Sequence, residues 1–192
     1  MKTILIYLIT TMIAFSSMAQ DEELPFREIP EAPSEFTAET VVVRMLEGLG
    51  FRYYWATEGL RPEDLSYQPS REARTALETL AHIHGLTQLV FNCVKGIPHA
   101  SVGVEDWDFE KLRYETLKNL KSASDSLRSG NLKLKDLPIK FESSQQEYPF
   151  WNQINGPIED AVWHTGLIVS FRRTSGNPYN SKASMFRGVL RE

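Results

Sequence analysis

Apolar residues recur at three- and four-residue intervals in four separate stretches of the chain, each bracketed by helix start and stop signals. The first follows Ser34 and Thr37, both suited to cap a helix. It runs through TVVVRMLEGLGFRYYWATEG to Gly59, with Val42, Met45, Leu49 and Tyr53 at helical spacing, although Gly48 and Gly50 weaken the pattern. The second is TALETLAHIHGLTQLVFNCVK, where Thr75 and Glu78 have capping-box spacing and Gly96 supplies the stop. It is apolar nearly all round, as a helix inside a bundle is. In the third, Asp108 caps FEKLRYETLKNLKSASDSL, and Phe109, Leu112, Thr116, Leu120, Ala123 and Leu127 form one stripe opposite a charged face. The fourth opens at Pro157 and closes near Ser175, with Gly176 and Pro178 as stops.

The connections are long. RPEDLSYQPS reads as a loop punctuated by Pro62 and Pro69, and IPHASVGVEDW as another. Between Asn131 and Gly156, LKLKDLPIKF alternates like a short strand that Pro138 confines to an edge, and EYPFWNQINGP is aromatic and turn-rich. Four long helices with little strand predict an all-α fold, a four-helix bundle with long connections and a minor strand segment around 132–141. Its bounds are 34–180, after an extended, poorly packed lead-in at 20–33 and before a tail at 181–192.

The 192 residues, 42% hydrophobic and 24% charged, suffice for one domain with a real core. The net charge of −4 and the scattered Lys and Arg exclude a nucleic-acid binder, since no basic stripe is available to neutralise phosphates. MKTILIYLITTMIAFSSMAQ has one Lys, an apolar run from Ile4 to Phe15, and small residues Ser17 and Ala19 at a cleavage-like site. The run is too short to span a bilayer. It reads as a secretory signal, 1–19, cleaved to leave no stable membrane anchor, so that the mature protein is periplasmic or secreted. With one Cys in the chain, Cys93, no internal disulfide forms; the residue is either a small buried hydrophobe or a free thiol near a site.

The candidate chemistry lies in IEDAVWHTGLIVSFRR, where Asp160 and His164 stand one helical turn apart and Leu167 and Phe171 continue their face. A second-helix histidine, His82 or His84, could complete a two-imidazole, one-carboxylate set with positions left open on a divalent metal. Those two lie about 200° apart around the helix, so at most one faces a common site. Spacing alone leaves open a satisfied polar pair in a packed core. His99, beside Pro98 in a loop, is a weaker candidate.

TALETLAHIHG resembles the second helix of the DinB/YfiT-like family, which carries a histidine in an L-x-H-[IL] context. HTGLIVSFRRTSGNP resembles that family's last helix, H-x-G-Q-[IL] followed by Arg and a Gly/Pro stop. The resemblance spans about Ser34 to Asn180. It implies a four-helix bundle that holds a divalent metal through His82, Asp160 and His164, with Asp160 where the family often has His. Leu167 stands where the family often has Gln, so any positioning role of that Gln is missing.

Around such a site, Tyr53 is a candidate proton donor and Arg172 a candidate anion binder, against the plainer reading of a charge suited to its helix's C-terminal end. Phe150 and Trp151 are candidates to wall a pocket above the metal, and Leu167 to line it. The resulting expectation is an exported metal-dependent hydrolase or transferase acting on an unassigned small molecule, with zinc, nickel, iron or manganese as the cation. The rival is a non-enzymatic module for a ligand or protein, with a structural or vestigial His/Asp site. A homodimer joined through exposed first-helix aromatics is compatible with either.

Overall fold

The computed structural model describes residues 23–192. The expected signal segment, 1–19, lies outside the described residues. The protein is mostly helical. Four long helices, α1 (Ala38–Thr57), α3 (Ala76–Lys95), α4 (Phe109–Arg128) and α6 (Glu159–Thr174), enclose the core. In the α2 position lies a short helix, Pro62–Leu65. α1 packs on α4 and α6, and α3 packs on the same two. Leu46, Leu49 and Phe51 of α1 meet Leu80 and Ile83 of α3, Leu112, Leu117 and Leu120 of α4, and Ile168 of α6 in one apolar cluster.

Local chemistry sets three of the four starts. The Thr37 hydroxyl accepts from the Thr40 amide, Thr75 accepts from Glu78, and the Asp108 carboxylate accepts from Lys111. α3 ends on Gly96 at φ +67°, a left-handed position that costs glycine little. α6 starts differently from the Pro157 expectation. A single turn, α5 (Trp151–Gln153), runs into a π-helical turn over Ile154–Ile158 that contains Pro157, and the chain enters α6 without a side-chain cap. Gly156, at φ −98° and ψ −105°, is the non-helical joint.

The 131–156 connection has structure of its own. Leu134–Asp136 form a 3-10 turn rather than a strand. The strand is shorter and later than expected: β1 (Ile139–Phe141) pairs antiparallel with β2 (Ser144–Tyr148), and His99 bridges to Phe141. Pro138 stands just before the paired residues, where its missing N–H breaks no ladder bond.

Both ends of the described chain contact the bundle or each other. The lead-in is largely exposed, as expected, but is anchored at one point: Phe26 is buried, and the Trp55 indole donates to the Arg27 carbonyl at 3.1 Å. The tail forms a hairpin, β3 (Ala183–Ser184) with β4 (Val189–Leu190), and the Ile29 amide donates to the Gly188 carbonyl at 2.8 Å. Gly50 makes the Phe26 anchor possible. It leaves a notch in α1 that the Phe26 ring fills, and a Cβ there would sit 2.8 Å from Phe26 Cε2. Gly50→Ala is therefore expected to destabilise by about 1–3 kcal/mol despite alanine's better helix propensity, because it overpacks a filled notch. Gly48→Ala is the control, since its Cβ meets only the mobile end of Arg52, at 3.2 Å. Denaturant midpoints of the two variants check this; equal midpoints would refute it.

Cys93 is buried, its thiol donating toward the Leu137 carbonyl at 3.5 Å, and burial pushes it up to about 11. It behaves as a core residue rather than a reactive thiol.

Candidate metal centre

α3 and α6 lie side by side, and their facing edges carry His82, Asp160 and His164. The buried face of α6 is Ala161, Thr165, Ile168 and Arg172. The Asp160–His164 edge is offset from it and half-buried, so the pair borders the core instead of lying inside it. That offset matters, because solvent reaches the group.

One donor atom from each of the three residues lies within 4.8 Å of the other two. Asp160 is the hub: Oδ2 is 3.1 Å from His82 Nε2, and Oδ1 is 3.1 Å from His164 Nδ1. His164 Nδ1 also lies 2.9 Å from the Asp160 backbone carbonyl. A carbonyl can only accept, so Nδ1 carries the proton and, in the neutral ring, Nε2 keeps the lone pair. Metal-binding histidines are held in this way, with the second ring nitrogen fixed by an oxygen. The two imidazoles stand edge to face, 4.6 Å between centroids.

The donor set fits a divalent cation. The 3.1 Å contact from His82 Nε2 to Asp160 Oδ2 is a ring N–H to carboxylate hydrogen bond, so a cation would take the place of that proton between the two groups. Two imidazoles and one carboxylate leave positions for water or substrate on the exposed side. Burial, chiefly, pushes His82 below the ordinary imidazole range; the hydrogen bond to Asp160 opposes the shift and the charge of Arg74 adds to it. Neutral His82 suits a ligand, since a proton and a cation compete for the same lone pair.

His84 faces the other way. It is buried, with Nδ1 3.3 Å from the Thr116 hydroxyl and its ring 5.1 Å from Trp107, as a core histidine. His99 stays in its loop beside Asn92, 3.3 Å away, apart from the cluster.

The expected pocket residues are dispersed. Tyr53 is fully buried, and burial pushes its phenol up to about 12, against the opposing influence of Thr116 and Arg113. It is no proton donor to the His/Asp group. Arg172 is buried and spends its donors on backbone carbonyls: Trp55, Ala56 and Glu58 at the end of α1, and Asn177. Through its Nη1 group it closes the C-terminal end of α1 rather than that of its own helix. Trp151 and Phe150 line a separate groove against α1 instead of a wall above the metal. Leu167 is half-buried against the core and brings no polar group. Tyr53, Tyr54 and Trp55 are all buried within the chain, so α1 offers no exposed aromatic patch for a dimer.

Two neighbours of the cluster escaped the sequence reading. Trp163 is 71% exposed with its ring 6.3 Å from that of His164, and Arg74 acts electrostatically on His82. Trp163 adjoins His164 in the chain, a signal that was present. No spacing rule joins Arg74 to a residue two turns into the next helix.

The frame and the site together define a mostly helical protein with a His/Asp cluster able to bind a metal ion. Comparison with family models, curated proteins and solved structures finds no match.

Proposed function

We propose that this chain is an exported four-helix bundle of DinB/YfiT type that holds one divalent cation through His82, Asp160 and His164, and uses it as a hydrolase or transferase. The observation that carries the reading is the convergence of two imidazoles and a carboxylate from two helices on one accessible point, with His164 Nε2 already freed by the Nδ1 contact to the Asp160 carbonyl. A bound cation supplies Lewis acidity toward water, a thiol or a hydroxyl. The chain's own residues do the rest. Asp160 sets the spacing of the two rings, His82 stays neutral at neutral pH, and Trp163 stands exposed next to His164. Zinc, nickel, iron and manganese all suit the donor set. Export rests on the segment at 1–19.

A second reading has one observation in its favour. Asp160 is already hydrogen-bonded to both imidazoles, to His82 through its carboxylate and to His164 through its backbone carbonyl, so the trio is satisfied as a structural clasp between α3 and α6 in a non-enzymatic binding module. Elemental analysis of protein purified without a His-tag or chelator separates the two. The expected result is near-stoichiometric metal, lost in both Asp160→Ala and His164→Ala while circular dichroism stays helical. Absence of metal after adding back zinc, nickel, iron and manganese would leave the clasp.

A further inference from the structure

A groove of about 740 Å³ runs along the start of α1, on residues that include none of the His/Asp cluster. Its walls are Phe36, Val41 and Met45 on one side and Leu134, Trp151 and Ile154 on the other. Three of these belong to the most exposed large apolar side chains among the described residues: Phe36 at 99%, Trp151 at 76% and Val41 at 45%. Holding them in water is unfavourable, and their convergence on one concavity marks a binding surface rather than scattered surface apolars. The volume falls in the range of small-molecule sites.

The mouth is cationic. Lys133, Lys135 and Glu39 border it, together with the first turn of α1. The Glu39 carboxylate is already committed, accepting from the Leu134 amide at 3.3 Å and facing Lys133 Nζ at 4.0 Å. Lys135 is exposed and forms no ion pair among the described residues. The positive end of the α1 macrodipole opens on the same side. An apolar trough with a free ammonium at its lip complements a molecule with an apolar chain and an anionic head. A neutral lipid would leave Lys135 unanswered. A short polar anion would leave Phe36 and Trp151 in water.

We propose that this groove binds a single-chain amphiphilic carboxylate of the fatty-acid class, with the chain along Val41, Met45 and Ile154 between Phe36 and Trp151, and the carboxylate at Lys135. The site is independent of the metal reading, since the two share no residue.

The test is displacement of a fluorescent conjugated-polyene fatty acid from the purified protein. Palmitate is expected to displace it at micromolar concentration, and hexadecanol at least about tenfold more weakly, the scale of one charge-assisted contact. Between dodecanoate and palmitate, each added methylene tightens binding by about fourfold until the trough is full. Phe36→Asp and Trp151→Asp, at side chains that stand in solvent and carry little of the fold, each weaken palmitate by about tenfold or more. Lys135→Glu removes the preference for acid over alcohol. The proposal is overturned if palmitate fails to displace the probe, if the two Asp variants bind as the wild type does, or if acid and alcohol compete equally. It is also overturned if solution mass doubles with concentration and the Asp variants abolish that instead, which would make the groove a contact between two copies.

Discussion

Replacing Asp64 by Ala is expected to lower stability by about 3 kcal/mol, the cost of removing one partner from a buried, hydrogen-bonded charge. Asp64 is buried and accepts from five donors: the Arg61 amide at 2.8 Å, Arg61 Nε and Nη2 at 3.0 and 2.9 Å, Asn177 Nδ2 at 2.6 Å, and the Ser175 hydroxyl. These tie α2 to the end of α6. The loss corresponds to a melting temperature lower by about 10 °C for a chain of this size. Asp64→Asn, which keeps one acceptor oxygen, should fall between. The effect has a pH signature. Burial, the largest influence, would raise this carboxyl, but the donors from Arg61, Ser175 and Asn177 outweigh it and hold it well below the usual carboxylate range. The unfolded chain therefore takes up the proton first. The stabilisation is full above the unfolded value of about 4 and is lost as pH falls below it toward the folded value. Thermal melts of wild type and Asp64→Ala at descending pH should converge in acid. A gap that is constant with pH, or absent at neutral pH, would sink the assignment.

On the proposed metal reading, zinc at a hundred times its dissociation constant is expected to stabilise the wild type by about 2.7 kcal/mol and His164→Ala hardly at all. A melting shift of about 5–10 °C would report it. Two sign arguments apply to acid. Folded His82 lies below its unfolded value of about 6.5, so the metal-free fold loses stability as pH falls through that value, because the unfolded chain binds the proton more readily. The zinc increment itself survives slightly below that pH, since His82 stays neutral longer than an ordinary imidazole, and then vanishes as the proton displaces the cation. A zinc shift that is the same in wild type and in His164→Ala would mean that zinc binds elsewhere.

What the sequence showed plainly was local. Thr37, Thr75 and Asp108 cap their helices, Gly96 ends α3, and the charged face of α4 is exposed, because each depends on residues within one or two turns. The fourth helix was blurrier, since the π turn around Gly156 and Pro157 has no spacing signature. The candidate site was legible in part. The interval between Asp160 and His164 fixed their common edge, while the choice between His82 and His84 turned on which side of α3 meets α6, and this depends on packing. Arg172 shows the limit most sharply. Nothing within reach in the chain says that a guanidinium in the last turn of α6 will serve the carbonyls of α1, more than a hundred residues earlier. The groove beside α1 was invisible for the same reason, being built from Phe36, the 3-10 turn and Trp151, which no periodicity links.

The bond from the Ile29 amide to the Gly188 carbonyl joins positions near opposite ends of the described chain. A growing polypeptide cannot make it until its last segment has been synthesised. The helices can assemble beforehand through contacts closer in sequence, and Phe26 can fill its notch with them, while Ile29 waits for its partner. Closure of this clasp is thus a late step, and the loop-closure entropy it must overcome is among the largest in the fold. A chain interrupted after Asn180 would retain the helical frame and keep Phe26 in its notch at Gly50, but Ile29 would lose both its Gly188 hydrogen-bond acceptor and the backbone its side chain lies against. To cellular quality control, that bared Ile29 would signal an unfinished molecule.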